Sequence, residues 1–183
     1  MSYEVALNKA WLDIANLNVT KNLSVKFLGD EYSVDTENRV ILSLACNVKT
    51  KDYRTILILH YLKKKISGLP LLSGNWKNFR EIALIEGYHD TFRNRVLKPL
   101  IRKYGRNPEG ISDSIKRFKA RMVNKADVAF EVEVFEGVPV LIELWRQDEE
   151  FEAEANLLFD ASITDIFCIE DIVVLAETVA AAL

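Results

Sequence analysis

The stretch VAFEVEVFEGVPVLIELW (residues 128–145) decides the fold, because it reads as two apolar strands joined by a short loop around Gly137. A two-residue loop would mix polar and apolar side chains on both faces of the paired strands. A three-residue loop at 136–138 instead pairs Val134 with Val140 and gives one apolar face. We therefore predict a β-hairpin with a three-residue loop, in which Gly137 takes a positive φ.

Further short strands precede and follow this hairpin. Upstream, LSVKFL (23–28), EYSVDT (31–36) and RVILSLA (39–45) are separated only by turn-type residues. Spacing this short favours an antiparallel meander, because parallel neighbours need a long crossover. Downstream, ANLLFDA (155–161) is a candidate last strand. The second face of the hairpin is predicted to be solvated, since it carries Glu131, Glu133, Leu141 and Glu143.

Helical periodicity predicts several helices around these strands. One helix, after Asp90, repeats apolar residues every four positions, and Pro99 predicts a kink or a restart within it. The other predicted helices span 3–17, 51–66, a short segment near 76–85, 111–122 and 169–182. The order of elements predicts an α+β protein: an antiparallel sheet, made of the N-terminal three-strand meander plus the C-terminal hairpin and strand, packed with several helices.

The composition indicates an ordinary globular chain. Its 183 residues are 49% hydrophobic and 28% charged, which fits a single domain spanning 1–183. Two cysteines, Cys46 and Cys168, form neither a disulfide framework nor a four-cysteine cluster site, so no cofactor is predicted. The sequence shows no signal peptide and no transmembrane stretch, which predicts a cytoplasmic location and no membrane contact.

Charge is distributed unevenly along the chain. Residues 91–126 hold 11 basic and 2 acidic side chains, whereas residues 127–183 hold 1 basic and 15 acidic ones. The simpler interpretation is that the two segments lie near each other and partly neutralise. The alternative is a basic surface that binds an anion, or an acidic surface that binds a cation or a basic partner.

The acidic run between the hairpin and the last strand is a candidate metal or catalytic site. Asp148, Glu150, Glu152 and Glu154 have the spacing with which a calcium loop begins, but Ala153 and Phe159 occupy the positions that need a glycine and a bidentate acid. Exposed carboxylates usually stay in water. We therefore predict a solvated acidic loop and no metal site.

A basic ridge is predicted on the helix after Asp90, formed by Arg95, Lys98, Arg102 and Arg106. The aromatic residues interleaved with these cations follow the buried stripe, which leaves no stacking platform for nucleic acid. A small anionic ligand therefore suits the ridge better than DNA or RNA. Together with the loop SGLPLLSGNW (67–76) and the end of the hairpin, the ridge gives six candidate ligand-binding residues: Trp76, Arg95, Arg102, Trp145, Arg146 and Asp148.

No nucleophile elbow, phosphate-binding glycine loop or metal-binding histidine pair occurs. No catalytic residue is therefore assigned. His60 is predicted to be a hydrogen-bonded core residue. Cys168, at a helix start, is a better candidate for a reactive thiol than Cys46.

Several stretches, in this order, resemble an uncharacterised prokaryotic family, domain of unknown function 3786. They are ILILHYLKKKISGLPLLSGNWKNFREIA, EGYHDTFRNRVLKPL, GVPVLIELWRQDEEF, NLLFDASI and IEDIVVLAE. The resemblance covers roughly residues 3–183. It implies a cytosolic protein of anaerobic bacteria or archaea and transfers no catalytic residue. Some members carry a cysteine-rich iron–sulfur segment of the kind found with corrinoid one-carbon proteins, but these 183 residues contain none.

Three functions follow as hypotheses. The first is binding of a small anionic metabolite or a protein partner, in a setting of anaerobic one-carbon metabolism. The second is a carboxylate-dependent enzyme, assisted by a metal. The third is a structural or assembly protein that docks through its uneven charge.

Overall fold

The structure, a computed structural model, describes residues 3–83 and 87–183. Within these residues the helices are α1 (Tyr3–Ala15), α2 (Asp52–Ser67), α3 (Phe79–Ile82), α4 (Gly87–Phe92), α5 (Lys98–Tyr104), α6 (Ile111–Ile115) and α7 (Ile169–Ala182). A π-helical turn (Arg93–Leu97) joins α4 to α5, and 3₁₀ turns span Pro108–Gly110 and Ala161–Asp165. The strands are β1 (Asn22–Phe27), β2 (Asp30–Asp35), β3 (Val40–Ser43), β4 (Trp76–Lys77), β5 (Ala120–Met122), β6 (Val128–Phe135), β7 (Val138–Trp145) and β8 (Glu154–Asp160).

All eight strands of the described chain join one antiparallel sheet in the order β3-β2-β1-β6-β7-β8-β4, and β5 pairs with β6 beside β1. The predicted α+β class is therefore confirmed, as are the N-terminal meander and the last strand. Within the described residues, no helix is long and apolar enough to cross a membrane.

The hairpin forms as predicted, but its loop is one residue shorter. Phe135 pairs with Val138, so only Glu136 and Gly137 form the loop, and Gly137 has a φ of 76°. The predicted pairing of Val134 with Val140 was also wrong. A register shift between Glu133 and Phe135 pairs Val140 with Val132 instead, and apolar residues again lie opposite one another. The prediction of a three-residue loop was wrong because a β-bulge can absorb one extra residue inside a strand.

The second face of the hairpin is less solvated than predicted. Leu141 is 1% exposed and Glu143 is 8% exposed, because β7 lies between two strands whose side chains cover it. Asn156 on β8 donates a hydrogen bond of 3.3 Å to Glu143. Of the four side chains on this face, only Glu131 and Glu133, both on β6, are partly exposed to solvent.

The predicted helix 111–122 is wrong in its second half. The helix α6 ends at Ile115, and the residues from Ala120 to Met122 form β5 instead. The strand β1 pairs with β6 only through Phe27 and its partner at the hairpin end, which leaves the rest of that edge of β6 free for β5. Pairing with β6 therefore overrides the helical periodicity of the segment.

The core lies between the sheet and the helices. The helix α2 is buried on most sides and contacts α1, α7 and β1, as expected for an apolar helix at the centre of a domain. The predicted irregularity before Pro99 takes the form of the π-helical turn, in which the amide of Lys98 donates to the carbonyl of Arg93. This continuous helix begins at Gly87, so Asp90 lies inside it and does not cap it. The predicted segment 76–85 is β4 followed by α3, and its last two residues lie outside the described residues.

Candidate functional site

A cavity of about 130 Å³ lies where the β1–β2 turn, the first turn of α2, the segment after α6 and the end of α7 meet. We call it the arginine cavity, because its lining holds two arginines against one acid. The lining residues are Phe27, Leu28, Asp30, Tyr32, Arg54, Arg117, Phe118, Thr178 and Ala182. They come from four separate parts of the sequence, which only the fold brings together.

Arg54 enters the cavity from the buried side of α2. It shares one stripe of the helix with Ile58 and Tyr61, both 0% exposed, so the packing of α2 carries the arginine inward. Its guanidinium lies 5.9 Å from the ring centre of Phe27, and one terminal nitrogen donates to the hydroxyl of Tyr32 at 3.5 Å. These contacts hold the planar guanidinium in place.

The Nε–H group of Arg54 is buried and has no hydrogen-bond partner among the described residues. A buried donor without an acceptor costs about 1–3 kcal/mol, and native proteins keep such groups rare. Arg54, a residue of the cavity lining, therefore has donor capacity that the described residues leave unused.

Arg117 supplies the second cation, from the segment between α6 and β5. Its guanidinium lies 4.7 Å from the ring centre of Phe118 and donates a hydrogen bond to the carbonyl oxygen of Ala182. A guanidinium carries five donors, so several remain for a further acceptor. Two arginines on different walls form an arrangement suited to carboxylate or phosphate oxygens.

The two hydroxyl groups of the lining have different roles. Burial raises the pKa of Tyr32, so its hydroxyl stays protonated at neutral pH and can donate to an anion. Thr178 already donates its proton to the carbonyl of Val174 at 2.7 Å, so its oxygen can only accept. Donors to an anion therefore come from Arg54, Arg117 and Tyr32.

Gly29 allows two walls of the arginine cavity, the β1–β2 turn and the segment that carries Arg117, to lie in close contact. Gly29 has a φ of 80°, and a Cβ atom at this position would lie 2.7 Å from the carbonyl oxygen of Arg117. Glycine adopts this backbone conformation without strain and leaves room for the close contact. The β1–β2 turn can thus lie directly against the segment that carries Arg117.

A larger cleft of about 670 Å³ adjoins the arginine cavity and shares Arg117 and Phe118 with it. Several of its charged side chains already have partners. Lys119 contacts Glu133 at 2.9 Å, and the side chains of Lys65 and Glu136 form a second ion pair. The cleft is therefore a less specific anion site than the cavity.

The structure does not bring the six candidate residues from the sequence into one site. Trp76 pairs with Asp160 and Trp145 pairs with Glu154, at opposite ends of β8. At about 3.3 Å per residue these register positions lie roughly 20 Å apart. The two tryptophans therefore belong to different ends of the sheet.

The four remaining candidates lie on the surface. Arg95 pairs with Glu177 at 3.2 Å, and Arg146 pairs with Glu109. Arg102 is exposed on α5, and the end of this helix approaches the end of β7 through the hydrogen bond from Gln147 to the carbonyl of Gly105. Arg102 lies three residues before this junction, and Arg106, the last cation of the ridge, directly follows Gly105.

Asp148, the sixth candidate, organises the acidic loop. Its carboxylate accepts hydrogen bonds from the amides of Glu150 and Phe151 at 2.8 and 2.7 Å, as an aspartate does in a turn. The loop joins β7 to β8, and its acids are exposed, whereas Ala153 between them is half-buried. In the part of the chain that the structure describes, no group of three or more His, Cys, Asp or Glu side chains is arranged to hold a metal ion.

The basic and acidic segments of the chain meet in the fold. Arg121 pairs with Glu131 across β5 and β6, and Lys119 and Arg95 also pair with acids from the C-terminal segment. This geometry matches the simpler interpretation of the uneven charge, in which the two segments partly neutralise each other.

A histidine, an aspartate and a cysteine meet at the start of α7. His60 Nδ1 lies 2.7 Å from Oδ2 of Asp171, a residue that is 7% exposed, and the thiol of Cys168 donates to the same oxygen at 3.3 Å. Although Cys168 is partly exposed, burial and the neighbouring carboxylate raise the pKa of its thiol to about 12. The thiol is therefore protonated at neutral pH, and the cluster ties α2 to α7.

Sequence reasoning missed Arg54, Arg117 and Tyr32. One signal was present for Arg54, because a cation on the apolar stripe of a buried helix needs a reason to be there. Arg117 stands among other cations and carries no such signal. Its role depends on the contact with Gly29, which no local pattern reveals.

The fold and the cavity define an α+β protein with an antiparallel sheet and a small cationic cavity at the edge of its core. The chain belongs to the family described as Domain of unknown function (DUF3786), whose model matches residues 13–182. No curated protein and no solved structure matches it.

Proposed function

We propose that the protein binds a small anionic metabolite in the arginine cavity. The observation that carries this proposal is the presence of two arginines, Arg54 and Arg117, in the lining of one small cavity. Arg117 and the neutral hydroxyl of Tyr32 supply further donors on neighbouring walls. An anion placed between them would receive charge-assisted hydrogen bonds, which are about twice as strong as neutral ones.

A metabolite is a better candidate than nucleic acid. Phe92, Tyr104 and Phe118, the aromatic residues of the basic segment, are 4%, 3% and 9% exposed. Buried rings cannot stack on bases, which supports the absence of a nucleic-acid role. The action of the chain as one domain, its cytoplasmic location and its place in anaerobic one-carbon metabolism are further parts of the proposal, which rest on composition and on the family resemblance.

The test compares the cavity with the basic ridge. Thermal unfolding of the wild-type protein would be followed with sodium salts of acetate, sulfate and phosphate against sodium chloride, at equal ionic strength. A ligand present at tenfold its Kd stabilises by about 1.4 kcal/mol, which raises Tm by roughly 3–6 °C in a chain of this size. Arg54→Gln should abolish this rise, and the matched ridge variant Arg102→Gln should keep it.

The opposite pattern would overturn the proposal, because it would assign binding to the ridge. Circular dichroism and the Tm in chloride would establish that Arg54→Gln is folded, and Arg117→Gln is the second cavity variant if it is not. If a divalent metal chloride added to the same assay stabilises the protein and the anions do not, the carboxylate-dependent enzyme is favoured instead.

A further inference from the structure

The charge of the cavity lining has a consequence for the kind of anion that fits. Arg54 and Arg117 contribute two positive charges, and Asp30 contributes one negative charge to the same lining. Tyr32 and Thr178 are neutral, and the other lining groups are apolar or backbone. The lining therefore carries a net charge of +1. Going from a monoanion to a dianion raises the cost of leaving water more steeply than it raises the attraction to this fixed charge, so the lining favours a monoanion.

The geometry of the two guanidiniums also restricts the ligand. Each lies near an aromatic ring, Arg54 by Phe27 and Arg117 by Phe118, which limits the orientations of the planar donor fork. A fixed fork matches paired oxygens of a carboxylate or of a tetrahedral anion, so the charge of the lining has to discriminate between them. A cavity of about 130 Å³ lies well below the roughly 300 Å³ at which ordinary ligand pockets begin, so the ligand is small.

We propose that the arginine cavity selects a small, singly charged carboxylate over a doubly charged anion such as sulfate or a phosphate ester, with Asp30 as the residue that sets this preference. This inference rests on the proposed function, since it concerns the same cavity. Asp30 is a specificity residue in this account. It lowers the net positive charge of the lining, and its ionised carboxylate has no donor to offer to a bound anion.

The experiment separates charge from shape with three probes. Isothermal titration calorimetry at pH 7.5 and constant ionic strength would measure Kd for acetate, methanesulfonate and sulfate. Methanesulfonate and sulfate share a tetrahedral head and differ in charge, whereas acetate and methanesulfonate share a charge and differ in shape. Wild-type protein should bind both monoanions more tightly than sulfate, by at least about tenfold for acetate.

Asp30→Asn should then narrow the gap between methanesulfonate and sulfate at least about fivefold, mainly by tightening sulfate. The matched control is Asp165→Asn, because Asp165 is also an exposed acid and lies outside the lining. It should leave all three Kd values unchanged. If Asp30→Asn fails to fold, the wild-type order of methanesulfonate and sulfate decides the question.

The possible failures are distinguishable. If sulfate binds as tightly as methanesulfonate and Arg54→Gln abolishes both, the cavity binds anions but the selectivity inference is wrong. An unchanged gap in a folded Asp30→Asn protein would also overturn the role of Asp30. If the wild-type protein binds none of the three probes, the proposed function fails and the inference fails with it.

Discussion

Replacement of Asp160 by asparagine should destabilise the protein at neutral pH and destabilise it clearly less in acid. Asp160 is 3% exposed at the end of β8. Its carboxylate accepts hydrogen bonds from the amide and hydroxyl of Ser73 at 3.0 Å each, from the amide of Gly74 at 2.7 Å and from the amide of Ser162 at 3.0 Å. These bonds anchor the loop before Trp76, and the asparagine side chain has only one oxygen to replace them.

The magnitude follows from the pKa of Asp160. Burial raises this pKa, but the hydrogen bonds from Ser162 and Ser73 outweigh burial and lower it from 3.8 to about 2. A pKa difference of about 1.8 corresponds to about 2.5 kcal/mol at 1.36 kcal/mol per pH unit. Because the folded-state pKa is depressed, this stability is present above pH 3.8 and is lost as the pH falls towards 2.

Urea unfolding of wild type and Asp160→Asn at pH 7, 4.5 and 3 would measure the effect. We expect the free energy of unfolding to differ by about 2.5 kcal/mol at pH 7 and 4.5, and by clearly less at pH 3. The variant Asp165→Asn, at an exposed acid a few residues along the chain, should match wild type throughout. Equal stability of wild type and Asp160→Asn at pH 7, or a difference that persists undiminished at pH 3, would refute the assignment of the carboxylate as the anchor.

Three further predictions concern the walls of the cavity and the cluster at α7. Gly29→Ala should lower the free energy of unfolding by about 2–3 kcal/mol, because it combines a positive φ with a clash against a facing backbone oxygen. The matched control is Gly74→Ala, because Gly74 also has a positive φ, 70°, but no atom lies within 4 Å of the added Cβ. In the same urea assay it should lower the free energy of unfolding by only about 1 kcal/mol. Equal losses of stability in the two variants would contradict the clash at Gly29. A double-mutant cycle with His60→Gln and Asp171→Asn should give a coupling energy of about 1–3 kcal/mol at pH 6, and additive losses would contradict the pairing. Alkylation of Cys168 by iodoacetamide at pH 7.5 can be followed by mass spectrometry of peptides. Because the pKa of its thiol is about 12, Cys168 should react at least about tenfold more slowly in the native protein than in urea. Equal rates would show that the pKa of the thiol is not raised.

The family motifs that the sequence displays are largely structural in the fold. Asp160 of the L-F-D stretch anchors a loop, Asp171 of the E-D-I stretch holds His60, and Asp148 stabilises a turn. In each case the carboxylate stabilises the fold by accepting backbone or side-chain hydrogen bonds. The residues with the clearest pattern in the sequence are therefore different from those that line the arginine cavity.

Local patterns determined most of the secondary structure. The three short strands before position 45 had to form a meander, because their connections are too short for any other pairing, and the structure shows β1 to β3 in that arrangement. The helix predicted at 169–182 agrees with α7 (Ile169–Ala182). The predicted loop length of the hairpin was wrong. An extra residue in the loop and a bulge within a strand give the same alternation of apolar and polar side chains, so the sequence could not distinguish them.

The sequence by itself determined the antiparallel α+β class, the positions of six strands (β1–β3 and β6–β8) and the apolar stripes of the helices, because these depend on contacts between neighbours in the chain. Only the tertiary structure decided that residues 120–122 become a strand and that Arg54 and Arg117 share a cavity. The pairing of His60 with Asp171, 111 positions apart, likewise came from the packing of α2 against α7. Such contacts depend on how the whole chain buries its apolar surface, and no window of local sequence carries that information.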